Sequence, residues 1–262
     1  MKKRSSSGWW SMLTFLALAL ALQTALAQGV WAQAPSTRER AIIRPGSSDT
    51  RIAVPNTAAY PFSAIARLEA TFPNGDRAVG TGAFVGPNRV VTAGHIVYDR
   101  EAGGYATSIA VIPGYANGLA PFGQTHSIHM STSTAYYDHA DPDFDFGMLV
   151  TADALGLTTG WLGLKVTDNW DLGTVVLCGF PDDLGRTQTM YFAGGPAQWE
   201  NRQNWREPVH HRLQYEFWTD NGMSGGPIIN FSFFVVGIHT GGNSQHNYAV
   251  GIDASYLSWD LK

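Results

Sequence analysis

From Ala64 onward the chain alternates short apolar runs with turn residues. The runs are Ile65 to Phe72, Ala78 to Val85, Val90 to Thr92, Ser108 to Ile112, Phe146 to Val150, Thr174 to Gly179, Thr189 to Ala193, Leu213 to Thr219, Pro227 to Ile229, Phe233 to His239 and Tyr248 to Ile252. Each has the length of a strand, and 29 Gly and 13 Pro punctuate the sequence around them. Many short strands bounded by such residues predict an all-β sandwich or barrel. No long stretch sustains helical periodicity; residues 253–261 are the place for one short terminal helix. The pattern softens between Thr151 and Asp168, which divides the β region into two subdomains, residues 41–155 and 156–262.

The first forty residues have a different character. Basic Lys2, Lys3 and Arg4 precede an apolar run from Met12 to Leu22, and small residues follow at Ala25 and Ala27. This is the layout of a secretory signal peptide, cleaved after Ala27, with Ala32-Gln33-Ala34 as a second site. The run is short for a membrane-spanning helix, which needs about 20 residues. Polar residues 28–40, ending Arg38-Glu39-Arg40, read as a propeptide. Removing residues 1–40 takes away five cationic side chains and one glutamate, so the formal net charge moves from −4 to −8. An acidic mature chain has no general attraction for nucleic acid or anionic membrane. The expected state is a secreted monomer acting on peptides or proteins. Export permits disulfides, yet there is one cysteine, so no internal bridge forms. Cys178 lies in the apolar run Thr174 to Gly179, where a small packed side chain is expected.

Three segments carry candidate chemistry. In the first, Arg89-Val90-Val91-Thr92-Ala93-Gly94-His95, small residues leave an imidazole room to face a cleft. Asp143-Phe144-Asp145-Phe146-Gly147 sets an acid at the mouth of a buried strand, where it is able to orient an imidazole and stabilise its cation. The third, Asn221-Gly222-Met223-Ser224-Gly225-Gly226-Pro227, flanks a serine with glycines, which permit a tight turn and aim amide N–H groups at one point, as an oxyanion hole requires. Each is commonplace alone. Together they place base, orienting acid and nucleophile in the order His, Asp, Ser, the order of chymotrypsin-type triads. Gly222-Met223-Ser224-Gly225-Gly226 also fits the G-x-S-x-G elbow of α/β-hydrolases, but that fold needs an acid and then a histidine after the serine. Here His239 and His246 both precede Asp253, and the helices of that fold are missing.

With these motifs in place, the chain resembles the bacterial glutamyl endopeptidases, a branch of the trypsin-like serine proteases. The resemblance rests on Asn56 to Phe62, Thr92-Ala93-Gly94-His95, Asp145-Phe146-Gly147, Gly179-Phe180-Pro181-Asp182, Ser224-Gly225-Gly226-Pro227 and Val236 to Gly242. It implies two packed antiparallel six-stranded β-barrels with the active site between them. It also implies His95 as general base, Asp145 as its orienting acid, Ser224 as nucleophile, and the amides of Gly222 and Ser224 as the oxyanion hole. The position that is Asp in trypsin is Trp218, so cleavage after Lys or Arg is not supported. In the glutamyl branch, a histidine and a hydroxyl residue at the positions of His239 and Thr219 contact the substrate carboxylate. A carboxylate closed into a pocket needs such donors.

Two positions depart from the wider family. Met223 stands where trypsin-like zymogens carry the Asp that pairs with the new amino terminus, so that salt bridge has no acid. The resemblance implies instead that a mature terminus at Ala41, after Arg40, associates with the pocket. Asp220 would repel a glutamate side chain if it pointed inward, and is expected to face solvent. No cofactor or metal is expected: His126 with His129, and His210 with His211, lack partners at zinc-binding spacings and read as surface histidines. The alternatives are a protease of this fold with another primary specificity and a noncatalytic protease-like binding protein.

Overall fold

The computed structural model describes residues 49–166, 171–200, 212–243, 245–253 and 256. The expected signal peptide and propeptide, His210, His211 and most of the expected terminal helix lie outside them.

Sixteen strands are described: β1 (Ile52–Ala53), β2 (Ile65–Thr71), β3 (Arg77–Phe84), β4 (Arg89–Thr92), β5 (Tyr98–Asp99), β6 (Gly104–Tyr105), β7 (Ser108–Pro113), β8 (Thr125–Thr132), β9 (Gly147–Thr151), β10 (Gly163–Leu164), β11 (Asp171–Gly179), β12 (Tyr191–Trp199), β13 (Arg212–Tyr215), β14 (Pro227–Ile229), β15 (Phe234–Gly242) and β16 (Asn247–Gly251). All eleven predicted strands are present. Strands β2, β3, β4, β9, β8 and β7 close an antiparallel barrel in that order. In the second, β12-β11-β14-β15-β16-β13 run in sequence and the β12–β13 pairing closes the ring. The protein is therefore all-β, with two six-stranded barrels.

The hydrophobic effect drives each barrel shut, because inward residues of neighbouring strands meet only one another. Leu68, Phe84, Val90, Val91, Ile109, Val111 and Leu149 are buried in the first. The second is filled by Val175, Leu177, Leu213, Tyr215, Ile228 and Val236, together with Met223. Met223 thus spends the position before Ser224 on packing.

Strand β8 was not predicted. Its apolar Ile128 points outward and is 63% exposed, whereas its buried ends are Thr125 and Thr132, so the outward face carries the hydrophobic signal. His126 and His129, on this strand, are exposed. A helix at Thr134–His139, capped by Ser133, whose Oγ accepts from the Tyr136 amide at 3.0 Å, was also missed. Among the described residues no helix is long and apolar enough to cross a membrane.

Short β1 belongs to the second barrel although it precedes the first. Ile52 pairs with Phe192 and Ala53 with Tyr191 on β12, and the Val54 amide donates to the Met190 carbonyl at 2.9 Å. Next to it, Arg51 forms a two-pronged pair with Asp183, at 2.8 and 2.6 Å, and also holds Asp49.

Candidate active site

The pairing of β4 with β9 sets Thr92 opposite Gly147. His95 lies three residues beyond the first and Asp145 two before the second, so the register carries them to the same end of the barrel. There the His95 amide donates to Asp145 Oδ1 at 2.9 Å, and His95 Nδ1 lies 2.8 Å from Oδ2. This approach depends on Gly94, where a Cβ would sit 2.9 Å from Asp145 Oδ1 and 2.6 Å from Thr132 Oγ1. A carboxylate only accepts, so Nδ1 carries the proton and the lone pair of Nε2 is left for a proton acceptor's work. Burial disfavours the charged imidazole, but the charge and hydrogen bond of Asp145 outweigh it and raise the His95 pKa above its ordinary 6.5.

Ser224 lies on the loop between β13 and β14, which is folded against the first barrel. The Thr81 amide donates to the Ser224 carbonyl at 2.8 Å. Gly225 has φ +82°, and a Cβ there would lie 2.1 Å from Thr92 Oγ1 and 2.9 Å from the Ala93 amide nitrogen. The serine loop and the segment leading to His95 are therefore in backbone contact. The amides of Met223, Gly225 and Gly226 donate to the carbonyls of Asp220, His239 and Met223. Those of Gly222 and Ser224 have no acceptor among the described residues, which leaves two N–H groups on one turn for a developing negative charge.

His239 is on β15 and is 2% exposed. Its backbone is laced to the serine loop in both directions: its carbonyl accepts from Gly225 at 2.7 Å and its amide donates to Gly226 at 2.9 Å. The register of β15 against β16 shifts between His239 and Gly241, and such bulges re-aim side chains. His239 Nδ1 lies 2.6 Å from Tyr215 Oη and 3.1 Å from the Tyr248 carbonyl. Burial pushes its pKa down to about 4, so the ring is neutral near pH 7.

Thr219 is also buried, and its hydroxyl donates to Asn247 Oδ1 at 2.6 Å. The orientation of that amide is fixed because Asn247 Nδ2 donates to the Phe217 carbonyl at 2.6 Å. Reading residue types along the chain missed both Asn247 and Tyr215, whose only signal is the cross-strand register that sets them opposite each other. Trp218 is buried with the Arg51 guanidinium 5.8 Å from its ring.

Asp220 does not face solvent as expected. It is 9% exposed, and its Oδ2 accepts from the Asp183 amide at 2.8 Å, which turns the carboxylate onto the loop that carries Asp183. Burial, with the Asp183 charge adding to it, raises the Asp220 pKa to about 6. Cys178 is 1% exposed and burial pushes its thiol pKa well up, in keeping with a packing role. Among the described residues no group of three or more His, Cys, Asp or Glu side chains is placed to hold a metal ion.

Two barrels with a His–Asp pair and a glycine-flanked serine on facing loops define a class, the trypsin-like peptidases. Residues 80–238 match the family described as the trypsin-like peptidase domain, and the chain belongs to that family. It is 30% identical over 186 residues to the glutamyl endopeptidase of Bacillus licheniformis, covering 71% of this chain and 54% of that protein. It is 29% identical over 208 residues to the extracellular metalloprotease of Bacillus subtilis (strain 168), covering 76% of this chain and 63% of that protein. The chain thus spans between about half and two thirds of the length of these curated relatives. A solved Glu endopeptidase in complex with MPD shares the fold, with a TM-score of 0.72 at 23% identity over 84% of this chain and 98% of that one.

Proposed function

We propose that this protein is a secreted serine endopeptidase that cleaves after glutamate, and less readily after aspartate. The observation that carries the reading is the pairing of His95 with Asp145 at 2.8 Å beside a serine turn bearing two uncommitted amides. In this mechanism His95 Nε2 takes the proton of the Ser224 hydroxyl as the oxygen attacks a peptide carbonyl. Asp145 holds the imidazole tautomer and stabilises its cation, and the Gly222 and Ser224 amides hold the oxyanion. The tetrahedral intermediate expels the amine with the proton from His95, and water then releases the acyl group by the same route.

The preference for glutamate is supported by the resemblance of the Gly237-Ile238-His239 stretch and by the B. licheniformis relative. Within the pocket, His239 and Thr219 are the contacts for the substrate side chain. The Thr219 proton is held by Asn247, so that hydroxyl meets a carboxylate as a donor only by releasing Asn247, and His239 is the first donor on offer. The proposal also takes residues 1–27 as a signal peptide and 28–40 as a propeptide, with the mature chain a monomer acting on peptides and not on nucleic acid or membranes.

The test is hydrolysis by the mature protein of peptides that differ only in Glu, Asp, Lys, Phe or Ala before the cleaved bond. Glu is expected to be preferred, and Ser224→Ala to lower kcat by about five to six orders of magnitude while the fold persists. Serine-dependent cleavage without Glu preference overturns the pocket assignment. Wild-type-like turnover by Ser224→Ala overturns the nucleophile, and no cleavage or fluorophosphonate labelling of processed protein favours a noncatalytic binding protein.

A further inference from the structure

The pocket reading leaves a chemical question open at His239. A neutral imidazole has one N–H, and only the tautomer with that proton on Nε2 offers a donor to a substrate carboxylate; the other presents a lone pair and repels it. The strand order of the second barrel sets what lies on the opposite nitrogen. Strands β15, β16 and β13 are consecutive, with His239 opposite Ala249 and Tyr215 opposite Asn247. The Tyr215 ring, stacked on Phe217 at 4.4 Å between centroids, brings its hydroxyl to His239 Nδ1.

Two proton arrangements compete. In one, Tyr215 donates to Nδ1 across 2.6 Å and the imidazole proton sits on Nε2. In the other, Nδ1–H is divided between the Tyr248 carbonyl at 3.1 Å and the phenol oxygen, whose own proton must reach the same carbonyl across 3.3 Å. The first makes one short, undivided O–H···N bond, whereas the second splits Nδ1–H between acceptors at 2.6 and 3.1 Å and stretches the phenol proton across 3.3 Å, so the first is favoured. Tyr215 is 2% exposed, and its burial raises its pKa well above 10, so its proton is always present to give. Both ring contacts involve Nδ1, and Nε2 has no partner among the described residues.

We propose that Tyr215 is a positioning residue for specificity: by donating to His239 Nδ1 it fixes the Nε2–H tautomer and so equips the pocket to receive a carboxylate. The proposal rests on the reading that this pocket takes a glutamate side chain. It does not act on the Ser224 chemistry, so it separates selection of the substrate from turnover.

Tyr215→Phe keeps the ring and removes the donor. Nδ1 then becomes the donor to Tyr248, and Nε2 presents its lone pair to the pocket. For this variant the ratio of kcat/KM for Glu over Ala peptides is expected to fall at least about tenfold, the scale of a hydrogen bond to a charged group. The ratio of Gln over Glu is expected to rise, since a carboxamide N–H donates to a bare Nε2. A structural loss instead lowers kcat/KM for all three substrates alike and slows fluorophosphonate labelling of Ser224 with it. Nitrogen-15 NMR of labelled histidine reads the tautomer directly, Nε2–H in the wild type and Nδ1–H in the variant. Unchanged Glu:Ala and Gln:Glu ratios in a folded variant overturn the proposal. If the variant does not fold, the wild-type spectrum decides: an Nδ1–H signal for His239 overturns the proposal and an Nε2–H signal supports it. Wild-type enzyme with no Glu preference overturns the pocket reading instead, and the same spectrum still tests the role of Tyr215.

Discussion

In the proposed enzyme two histidines do opposite work, and one neighbouring oxygen decides each. At His95 the carboxylate of Asp145 accepts the Nδ1 proton and leaves Nε2 basic; at His239, in the arrangement proposed above, the phenol of Tyr215 donates to Nδ1. The base must be neutral to act, and its pKa is raised by Asp145. Hydrolysis is therefore expected to fall with decreasing pH through an inflection above 6.5. In Asp145→Asn the inflection moves to lower pH, because the charge that held the imidazolium is gone, and kcat drops about 10⁴-fold through loss of the correct tautomer. A pH–rate profile of kcat/KM for both proteins checks this; an unmoved inflection removes Asp145 from the account.

At the scale of elements, the serine loop and the loop carrying Asp183 are held by contacts that tolerate little change. Gly225→Ala forces a side chain into a left-handed backbone with Thr92 and Thr81 at its place, and is expected to cost more than about 2 kcal/mol, read from denaturant unfolding. Asp220 gives this region a pH signature. Its carboxyl binds a proton more tightly when folded, with a pKa raised from 3.8 to about 6. Its contribution to stability is thus complete below 3.8 and is lost as pH rises through about 6. Asp220→Asn still accepts from the Asp183 amide through its Oδ1, and lacks the titration. The urea midpoint of the variant is expected to decline less than that of the wild type as pH is raised through this range.

Across the whole molecule, what the sequence disclosed follows from how local the cause is. Strands with inward apolar residues were legible, as were small residues beside His95 and Ser224, because both are patterns within a few positions. Strand β8 was not, since its apolar side chain faces out. Asp220 misled because its carboxylate is held by the Asp183 amide, from a loop that the fold and not the local sequence brings beside it. Tyr215 and Asn247 carry no motif, and only barrel closure gives them their partners.

The pairing of β1 with β12 bears on how the chain can be divided. The second barrel looks self-contained by strand order, yet part of the hydrogen-bonding edge at Met190 to Phe192 is occupied by residues from before the first barrel. A fragment cut at the linker between barrels would uncover that edge and strand Asp183 without its guanidinium. An uncovered strand edge recruits other chains, so the two halves are better exchanged between relatives as grafts that take residues 49–54 along with the second barrel than as a simple N- and C-terminal swap.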